Sequence, residues 1–469
     1  MTTATLDSLH RSLDQHLDSG RFLAELSRRV ALATESDAGG PPPLALGEYL
    51  EAEIATSLRP AGFECTTFPN PDPRGGPLLV ARRVEDPALP TVLTYGHGDV
   101  VSGQDGRWSA GRSPWRLSDE NGRWYGRGTA DNKGQHTVNL AALLHTLRAR
   151  GGRLGYNVTV LMETGEEAGS PGLAAFCEQQ QALLQADLFL ACDGPRVAAD
   201  RPTLFLGSRG AVNFTLSLQA RERGAHSGNW GGVLSNPATV LAHAWASLVD
   251  AQGRIRVPEL RPAGVPADIR EALDGVPVGG APDDPVPSPG WGEPGLSAIE
   301  RLVAWNTLEI LAFGAGAPQR PVNAIPAAAT LAGQLRFVVG TPWENLAAIM
   351  RRHLDTAGFA EVEVRIDASA PATRLPLDNP WVGWARQTLS RSAGQPVAVL
   401  PNLAGTLPNH LFAHTLGLPT LWVPHSHPAC AQHAPDEHML ANVAREGLHL
   451  MGDLYWGLGE PDAPWFTRP

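Results

Sequence analysis

Residue types that can bind metal lie just beyond several predicted strands of this chain. The apolar run at 91–95 predicts a buried strand, and His97 and Asp99 come shortly after it. A ligating imidazole usually donates its second N–H to an acceptor, so His-x-Asp at this place is typical of a metal ligand and the carboxylate that orients it. A hydrogen-bonded structural histidine gives the same local pattern, and the metal hypothesis therefore depends on partners elsewhere.

Two further predicted strands end in acidic residues. Glu166 and Glu167 follow the strand predicted at 156–162, and Asp193 follows the strand predicted at 187–191. Strands separated by helices favour a parallel sheet, whose carboxyl ends meet at one edge. Acidic and imidazole groups gathered there would repel or bury charge unless a cation compensates for them. The alternative is a set of unrelated helix caps and solvated acids.

Asp131 and His433 are two more candidate ligands. Asp131 lies just before a helical pattern of apolar residues, where an N-cap role is the alternative. Seven of the 15 histidines lie between positions 410 and 449, and His433 opens the run HAPDEH. Residues 392–435 contain no Asp, Glu, Lys or Arg, which favours buried loops and strands lining a cleft.

The middle of the chain has the pattern of a separate α+β domain. Signals for strand, helix, strand, strand, helix and strand follow one another between residues 211 and 366, which is the split βαβ order of a ferredoxin-like domain. The predicted fold is therefore α/β, with a mostly parallel sheet interrupted by an inserted ferredoxin-like domain. The predicted domains are 1–206 with 371–469, and 207–370. A Pro-, Gly- and Asp-rich stretch at 257–294 indicates a long surface insertion.

Composition and charge exclude several classes of protein. The chain has 469 residues, more than one compact core usually holds, with 43% hydrophobic and 18% charged residues. Its formal net charge of −11 argues against nucleic acid or an anionic membrane as a partner. No apolar segment suits a membrane span, no signal peptide is visible, and the four cysteines form no CxxC pair. We expect a cytoplasmic enzyme.

Eight short motifs occur in an order that is characteristic of one enzyme family. They are YGHGD with Asp99, GRGTADNKG with Asp131, ETGEEAGS with Glu166 and Glu167, the strand-end Asp193, AHSGNWGG with His226, NAIP with the downstream Arg336, GTLP at 405–408, and HAPDE with His433. Together they resemble the M20 metallopeptidases of the carnosinase-like dipeptidase and glutamate carboxypeptidase type. The family usually has His-x-x-Asn-Glu where this chain has HAPDE, and the neighbouring His425, His427 and His438 stay open as alternatives.

The resemblance implies a centre of two divalent cations. It implies that His97 and Asp193 hold one cation, that Glu167 and His433 hold the other, and that Asp131 bridges them. Asp99 would orient His97, and Glu166 would act as the general base on the attacking water. A mixed imidazole and carboxylate set accepts Zn²⁺, Mn²⁺ or Co²⁺, and we expect Zn²⁺.

The resemblance also implies a substrate site shared with the inserted domain. His226 would stabilise the oxyanion, usually from the other subunit of a homodimer, with a local turn histidine as the alternative. Arg336 would pair with a substrate carboxylate, with a surface salt bridge as the alternative. Asn323, Gly405 and Thr406 would supply further polar contacts.

The predicted function is hydrolysis of the amide bond in dipeptides or small peptides that carry a free carboxylate. An N-acyl-amino-acid amidohydrolase is the alternative among enzymes, because the pocket on the acyl side decides between them. A metal-binding protein without catalysis is the alternative from another class, although it would not need a base such as Glu166.

Overall fold

The computed structural model describes residues 5–36, 42–109, 111–280 and 284–466. None of the helices in this part of the chain is long and apolar enough to cross a lipid bilayer. The helices and helical turns are Leu6–Asp18, Arg21–Ala31, Leu44–Glu48, Tyr49–Ala55, Thr56–Leu58, Arg59–Ala61, Lys133–Ala149, Glu166–Ala168, Leu173–Gln179, Gln181–Leu184, Ser227–Trp230, Pro237–Leu248, Pro258–Leu260, Ala267–Ala272, Ala298–Val303, Trp343–Asn345, Leu346–Thr356, Pro380–Ala393, Leu411–Thr415 and Ala441–Leu458.

The larger sheet has eight strands. Four central strands are parallel neighbours, so their carboxyl ends lie on one edge. Their residues are buried almost throughout, because helices cover both faces of the sheet. The predicted mostly parallel α/β sheet is confirmed. The spatial order is Glu64–Phe68, Leu78–Arg83, Asn157–Glu163, Thr91–His97, Leu188–Ala191, Thr420–Trp422, Thr203–Phe205 and Ala398–Leu400.

One deeply buried helix constrains the loop that precedes it. Lys133–Ala149 is buried from Lys133 to Leu147, since it lies between the sheet and the helices Leu6–Asp18, Arg21–Ala31 and Ala441–Leu458. Its apolar residues therefore surround it rather than form one stripe. A helix enclosed in this way has little freedom to shift, and the loop that precedes it is equally constrained.

The smaller sheet is antiparallel and has four strands. Its spatial order is Thr307–Gly314, Ala328–Phe337, Gly210–Gln219 and Glu363–Ala370. The helices Pro237–Leu248 and Leu346–Thr356 pack their apolar residues on it, which gives the predicted β-α-β-β-α-β order. The boundaries 207 and 370 of an inserted domain stay a prediction.

Two short pairings complete the strand structure. A two-stranded ribbon joins Ala225–His226 to Ala324–Ile325. A three-stranded sheet has the order His438–Leu440, Arg123–Tyr125 and Ser118–Glu120. This small sheet brings the end of the HAPDEH run next to the loop that carries Asp131.

The segment predicted as a surface insertion packs partly on the large sheet. It forms the short helix Ala267–Ala272, and the helix Ala298–Val303 follows just beyond it. Most described residues at 257–294 are exposed, as a surface insertion requires, but a few apolar ones are buried. Because they stand among many Pro and Gly, the composition of the segment did not reveal them. Val257 and Leu260 join the core of the smaller sheet, and Ile269 and Leu273 join that of the large sheet, together with Ile299 and Val303 just beyond the segment.

Asn306 fastens this segment to the smaller sheet. Its side-chain amide donates to the carbonyl oxygen of Leu260 at 2.8 Å and to Thr341 Oγ1 at 2.9 Å, and its oxygen accepts from the N–H of Val338 at 2.8 Å. We predict that Asn306→Ala lowers the free energy of unfolding by about 2 kcal/mol, because buried partners lose their hydrogen bonds. Urea unfolding measures this change. The exposed Asn442→Ala is the control and should shift it by less than about 0.5 kcal/mol.

Candidate metal centre

Three neighbouring strands of the large sheet bring candidate ligands to one edge. His97 is the last residue of its strand, and Glu166 and Glu167 lie in the turn after the adjacent strand. Asp193 lies two residues beyond the third strand. Parallel strands end together at this edge, which is where ligands of open α/β sheets bind. Residues that are far apart in the sequence thereby become neighbours.

Asp131 reaches the same place from the loop before helix Lys133–Ala149. Asn132, not Asp131, occupies the position before the first helical residue, so the N-cap alternative for Asp131 is wrong. Gly134 allows the helix to begin tightly against this loop, because a Cβ at Gly134 would lie 1.9 Å from the carbonyl oxygen of Thr129. The loop and the helix start are thus packed as one unit.

Asp131 lies between two histidines and faces each with a different oxygen. Its Oδ1 is 3.0 Å from His97 Nε2, and its Oδ2 is 3.0 Å from His433 Nε2. Asp193 Oδ2 lies 3.7 Å from His97 Nε2, and Glu167 Oε2 lies 3.1 Å from His433 Nε2. The cluster therefore has two halves, one around each histidine, that share a single carboxylate.

Burial and mutual repulsion shift the titration of this cluster. Burial and the neighbouring Asp131 carboxylate raise the pKa of Asp193 to about 7, and the same causes raise the pKa of Glu167. Burial opposes protonation of His97, but hydrogen bonds to carboxylates keep its pKa well above the ordinary value. Hydrogen bonds to Asp131 and Glu167 raise the pKa of His433 to about 10. Positive charge, from protonated histidines or from a bound cation, therefore stabilises the carboxylates of this cluster.

The donor set fits divalent metal ions. Glu167 Oε1 and Asp193 Oδ2 are buried and make no hydrogen bond within the described residues, although buried polar atoms are normally satisfied. His97, Asp131 and Glu167 each offer a ligand atom, and these atoms lie within 4.8 Å of one another. Imidazole nitrogen and carboxylate oxygen are ligands that Zn²⁺, Mn²⁺ and Co²⁺ accept.

The carboxylate of Asp99 connects two parts of the cluster. His97 Nδ1 lies 3.1 Å from the main-chain oxygen of Asp99 and 3.4 Å from its Oδ1. The two carboxylate oxygens also accept the main-chain N–H groups of Glu166 at 3.2 Å and of Glu167 at 3.1 Å. Asp99 therefore orients the imidazole and also fixes the turn that carries both glutamates.

Glu437 fixes the loop that carries Asp131, and no role was predicted for it. Its buried carboxylate accepts the N–H groups of Gly128, Ala130 and Asp131 at 2.8–3.1 Å and pairs with Arg127 Nη1 at 2.7 Å. An acidic residue just after a long uncharged stretch was the signal in the sequence. Its partners lie about three hundred positions away, as in the 306-residue separation from Asp131, and no local pattern reveals them.

His433 is the member of the C-terminal histidine group that contacts the shared carboxylate. His427 and His438 instead pack against each other, with ring centroids 5.2 Å apart. His425 is fully buried, with its ring beside Gly447. The geometry therefore separates four histidines that the sequence left as alternatives.

Glu166 lies beside the cluster without being one of its close contacts. Burial raises the pKa of Glu166 well above its ordinary value, and the carboxylates of Asp193 and Glu167 add to this against the opposing charge of His97. Its side chain is half-buried, so solvent or substrate can reach it. Its role as a base stays a prediction.

His226 and Asn323 lie together but away from the cluster. Both side chains are exposed on the two-stranded ribbon, and the N–H of Ser227 donates to the carbonyl oxygen of Asn323 at 2.9 Å. In the part of the chain that the structure describes, neither side chain contacts a candidate ligand. His226 Nδ1 accepts the N–H of Gly228 at 3.1 Å, which is the local turn contact of the alternative hypothesis.

Arg336 joins the smaller sheet to the loop at Gly405 and Thr406. Its Nη1 donates to Thr406 Oγ1 at 2.5 Å, and its Nε donates to Gln334 Oε1 at 2.7 Å. Thr406 in turn donates to the carbonyl oxygen of Arg209 at 2.9 Å. The ion pairs of the described residues include no carboxylate partner for this half-buried guanidinium, so the surface salt bridge is not seen.

The fold and the site together define a class of protein. It is an α/β protein whose parallel sheet gathers histidine and carboxylate groups at its carboxyl edge in an arrangement suited to divalent metals. Residues 93–456 match the family described as Peptidase family M20/M25/M40, and the chain belongs to this family. The family that the motifs indicated is confirmed.

The chain spans about half the length of the curated relatives it matches. It is 33% identical over 266 residues to the Beta-Ala-His dipeptidase of Mus musculus, covering 54% of this chain and 53% of that protein. It is 33% identical over 258 residues to the cysteinylglycine-S-conjugate dipeptidase of Corynebacterium striatum, covering 52% and 55%. An M20 family metallo-carboxypeptidase from Sulfolobus solfataricus shares the fold, with a TM-score of 0.78 at 23% identity over 93% of this chain and 98% of that one.

We predict that Glu437→Gln weakens divalent-metal binding roughly 10–100-fold, because the neutral amide fixes the Asp131 loop less firmly. Competition with a chelator, followed by metal analysis, measures the affinity. Asp436→Asn is the matched control, since Asp436 accepts the N–H of Ser109 at 3.1 Å and, within the described residues, its carboxylate does not bond to the Asp131 loop. Equal affinities in all three proteins would contradict the assignment of Glu437.

Proposed function

We propose that this protein is a metal-dependent hydrolase with two metal ions that cleaves the amide bond of dipeptides carrying a free carboxylate. The observation that carries the proposal is Asp131, which faces His97 with one oxygen and His433 with the other. The names of the relatives, a Beta-Ala-His dipeptidase and a cysteinylglycine-S-conjugate dipeptidase, support the substrate class.

The proposed ligand sets follow the two halves of the cluster. His97 and Asp193 would hold one ion, Glu167 and His433 the other, and Asp131 both. When bound, two divalent cations supply Lewis-acid activation of the scissile carbonyl and of the attacking water. We propose Zn²⁺ as the resident metal, with Mn²⁺ or Co²⁺ as replacements, since all three accept imidazole and carboxylate donors.

Glu166 is proposed as the general base and acid. Its carboxylate takes a proton from the attacking water, whose oxygen bonds to the carbonyl carbon of the substrate. The carbon–nitrogen bond then breaks, and Glu166 returns the proton to the leaving amine. A half-buried carboxylate whose pKa is raised by burial is suited to both steps, because it keeps the proton that it takes from water until the amine leaves.

A homodimer would complete the site. Strand Thr307–Gly314 is an edge strand with exposed apolar side chains, namely Ile310, Leu311 and Phe313. An exposed apolar edge strand favours pairing with another chain. In such a dimer the exposed His226 and Asn323 would enter the neighbouring site, where His226 would stabilise the oxyanion.

Arg336 would bind the substrate carboxylate. A half-buried guanidinium without an acidic partner can form a bidentate pair with a carboxylate, and Thr406 already orients one of its nitrogens. Gly405 and Thr406 would border the same end of the substrate.

A cytoplasmic location is also proposed. The four cysteines are free in the structure, which is consistent with a reducing compartment.

The first test compares substrate classes with the metal-loaded protein. We expect turnover of dipeptides such as Ala-Leu and little turnover of N-acetyl-leucine, because the proposed substrate has a free amino terminus. We expect Glu166→Gln to lower kcat on dipeptides by roughly 10²–10⁴-fold while metal content is retained, since only the proton transfer is lost.

Glu167→Gln is the matched variant, because the neighbouring residue is a proposed ligand and its change should reduce metal content. Turnover of N-acetyl amino acids alone would favour the amidohydrolase alternative. Full activity of Glu166→Gln would contradict the mechanism.

The second test concerns the carboxylate. We predict that Arg336→Met raises KM for Ala-Leu by roughly 10–100-fold, because a charge-assisted pair with the substrate is lost. Ala-leucinamide, which lacks the carboxylate, should be cleaved equally by both proteins. An equal loss on both substrates would show that Arg336 acts on structure and not on recognition.

A further inference from the structure

The guanidinium of Arg336 is held by two neutral acceptors. Its Nε donates to Gln334 Oε1 at 2.7 Å, and its Nη1 donates to Thr406 Oγ1 at 2.5 Å. A guanidinium has five N–H groups, so within the described residues three of them stay free, two on Nη2 and one on Nη1. The protein therefore restrains the guanidinium and leaves the Nη1 and Nη2 end for another acceptor.

Gln334 lies two residues before Arg336 on strand Ala328–Phe337. Both side chains are half-buried and alternate with the buried Leu335 and Phe337, which pack in the core with the two helices of the smaller sheet. Side chains two residues apart on a strand share a face. Gln334 and Arg336 therefore lie side by side on the face of the smaller sheet that these helices do not cover.

Asn213 restrains the other end of the Gln334 amide. It lies directly opposite Gln334 on strand Gly210–Gln219, and Gln334 Nε2 donates to Asn213 Oδ1 at 2.7 Å. Because a guanidinium only donates hydrogen bonds, the amide must turn its oxygen toward Arg336 and its nitrogen toward Asn213. The two neighbours thus set the orientation of the Gln334 amide.

The acceptor beside Arg336 Nε carries no charge. An acidic side chain in this place would form a charge-assisted pair with the guanidinium and neutralise it. Glu309 is paired in register with Gln334 on the adjacent strand, but among the described residues it forms no ion pair with Arg336. The neutral amide therefore orients the guanidinium while its positive charge stays available.

We propose that Gln334 is a positioning residue for Arg336, a neutral acceptor that holds the guanidinium ready for the substrate carboxylate without neutralising it. The inference rests on the proposed function, because it takes Arg336 as the group that binds this carboxylate. Gln334 acts through Arg336 and not by contact with the substrate, since both ends of its amide are bonded to the protein. The alternative is a cross-strand hydrogen bond that serves only the stability of the smaller sheet.

The experiment measures kcat and KM of the metal-loaded full chain for Ala-Leu and for Ala-leucinamide, which lacks the carboxylate. Gln334→Glu keeps the size of the side chain and an acceptor for Arg336, and Asn213 can turn its amide to donate to the new carboxylate. We expect KM for Ala-Leu to rise roughly 10–100-fold, because the introduced carboxylate competes with the substrate for the guanidinium. KM for Ala-leucinamide should change by less than about twofold, because this substrate does not use the guanidinium.

Gln334→Met tests the orientation without adding a charge. It removes the acceptor at nearly the same size, so Arg336 keeps its charge and loses one restraint. We expect KM for Ala-Leu to rise only roughly 3–10-fold, the cost of ordering one long side chain on binding. In an Arg336→Met background the same change should have no further effect, because the group through which Gln334 acts is missing.

Gln219→Glu is the matched control, because it makes the same chemical change on the same face of the smaller sheet. Gln219 lies opposite Ala328, eight residues before Arg336 on its strand, which corresponds to about 26 Å. Salt screens a charge at that distance from Arg336. Both substrates should therefore be cleaved as they are by the unmodified protein.

Three results would overturn the positioning role alone. They are an unchanged KM for Ala-Leu in Gln334→Glu, an equal loss on Ala-Leu and Ala-leucinamide, and additive effects of Gln334→Met and Arg336→Met. The equal loss would show that Gln334 serves the structure of the sheet. The proposed function fails in a different way: the unmodified protein would not cleave Ala-Leu, or Arg336→Met would leave its KM unchanged, and the positioning role would fall with it.

Discussion

The concentration of negative charge at one buried edge is the constraint on which this structure depends. Asp131 and Asp193 are buried next to the buried His97, and the half-buried Glu166 and Glu167 lie in the turn beside them. Buried carboxylates are costly unless positive charge compensates for them. The raised pKa of Asp193, to about 7, is the local consequence of that cost. The surrounding structure must hold these carboxylates together against that cost. A bound divalent metal ion would lower the cost by supplying positive charge.

That rigidity comes from carboxylates that bind main-chain groups behind the cluster. Asp99 accepts the N–H groups of Glu166 and Glu167, and Glu437 accepts those of Asp131 and the residues before it. Glu437 therefore holds a loop, and Asp99 holds both a turn and the imidazole of His97. The deeply buried helix Lys133–Ala149 begins at the second loop, so the position of the shared carboxylate is tied to the core of the large sheet.

The smaller sheet and the ribbon that carries His226 differ in how they relate to the large sheet. Arg336 of the smaller sheet donates to Thr406, which follows strand Ala398–Leu400 of the large sheet. Among the described residues, the exposed His226 makes no such contact with the large sheet. Its proposed role needs a second chain, whereas the contact of Arg336 with Thr406 lies within one chain.

The sequence by itself determined the chemistry of the site and the class of fold. Ligand chemistry depends on residue type, so short motifs at strand ends and before one helix predicted His97, Asp131 and Asp193 as candidate ligands, and strands separated by helices predicted the parallel sheet. The tertiary structure decided which of four histidines meets Asp131, that Glu437 fixes its loop, and that Ile269 and Ile299 are buried. These outcomes depend on packing between segments hundreds of residues apart, which no local pattern of hydrophobicity or charge contains.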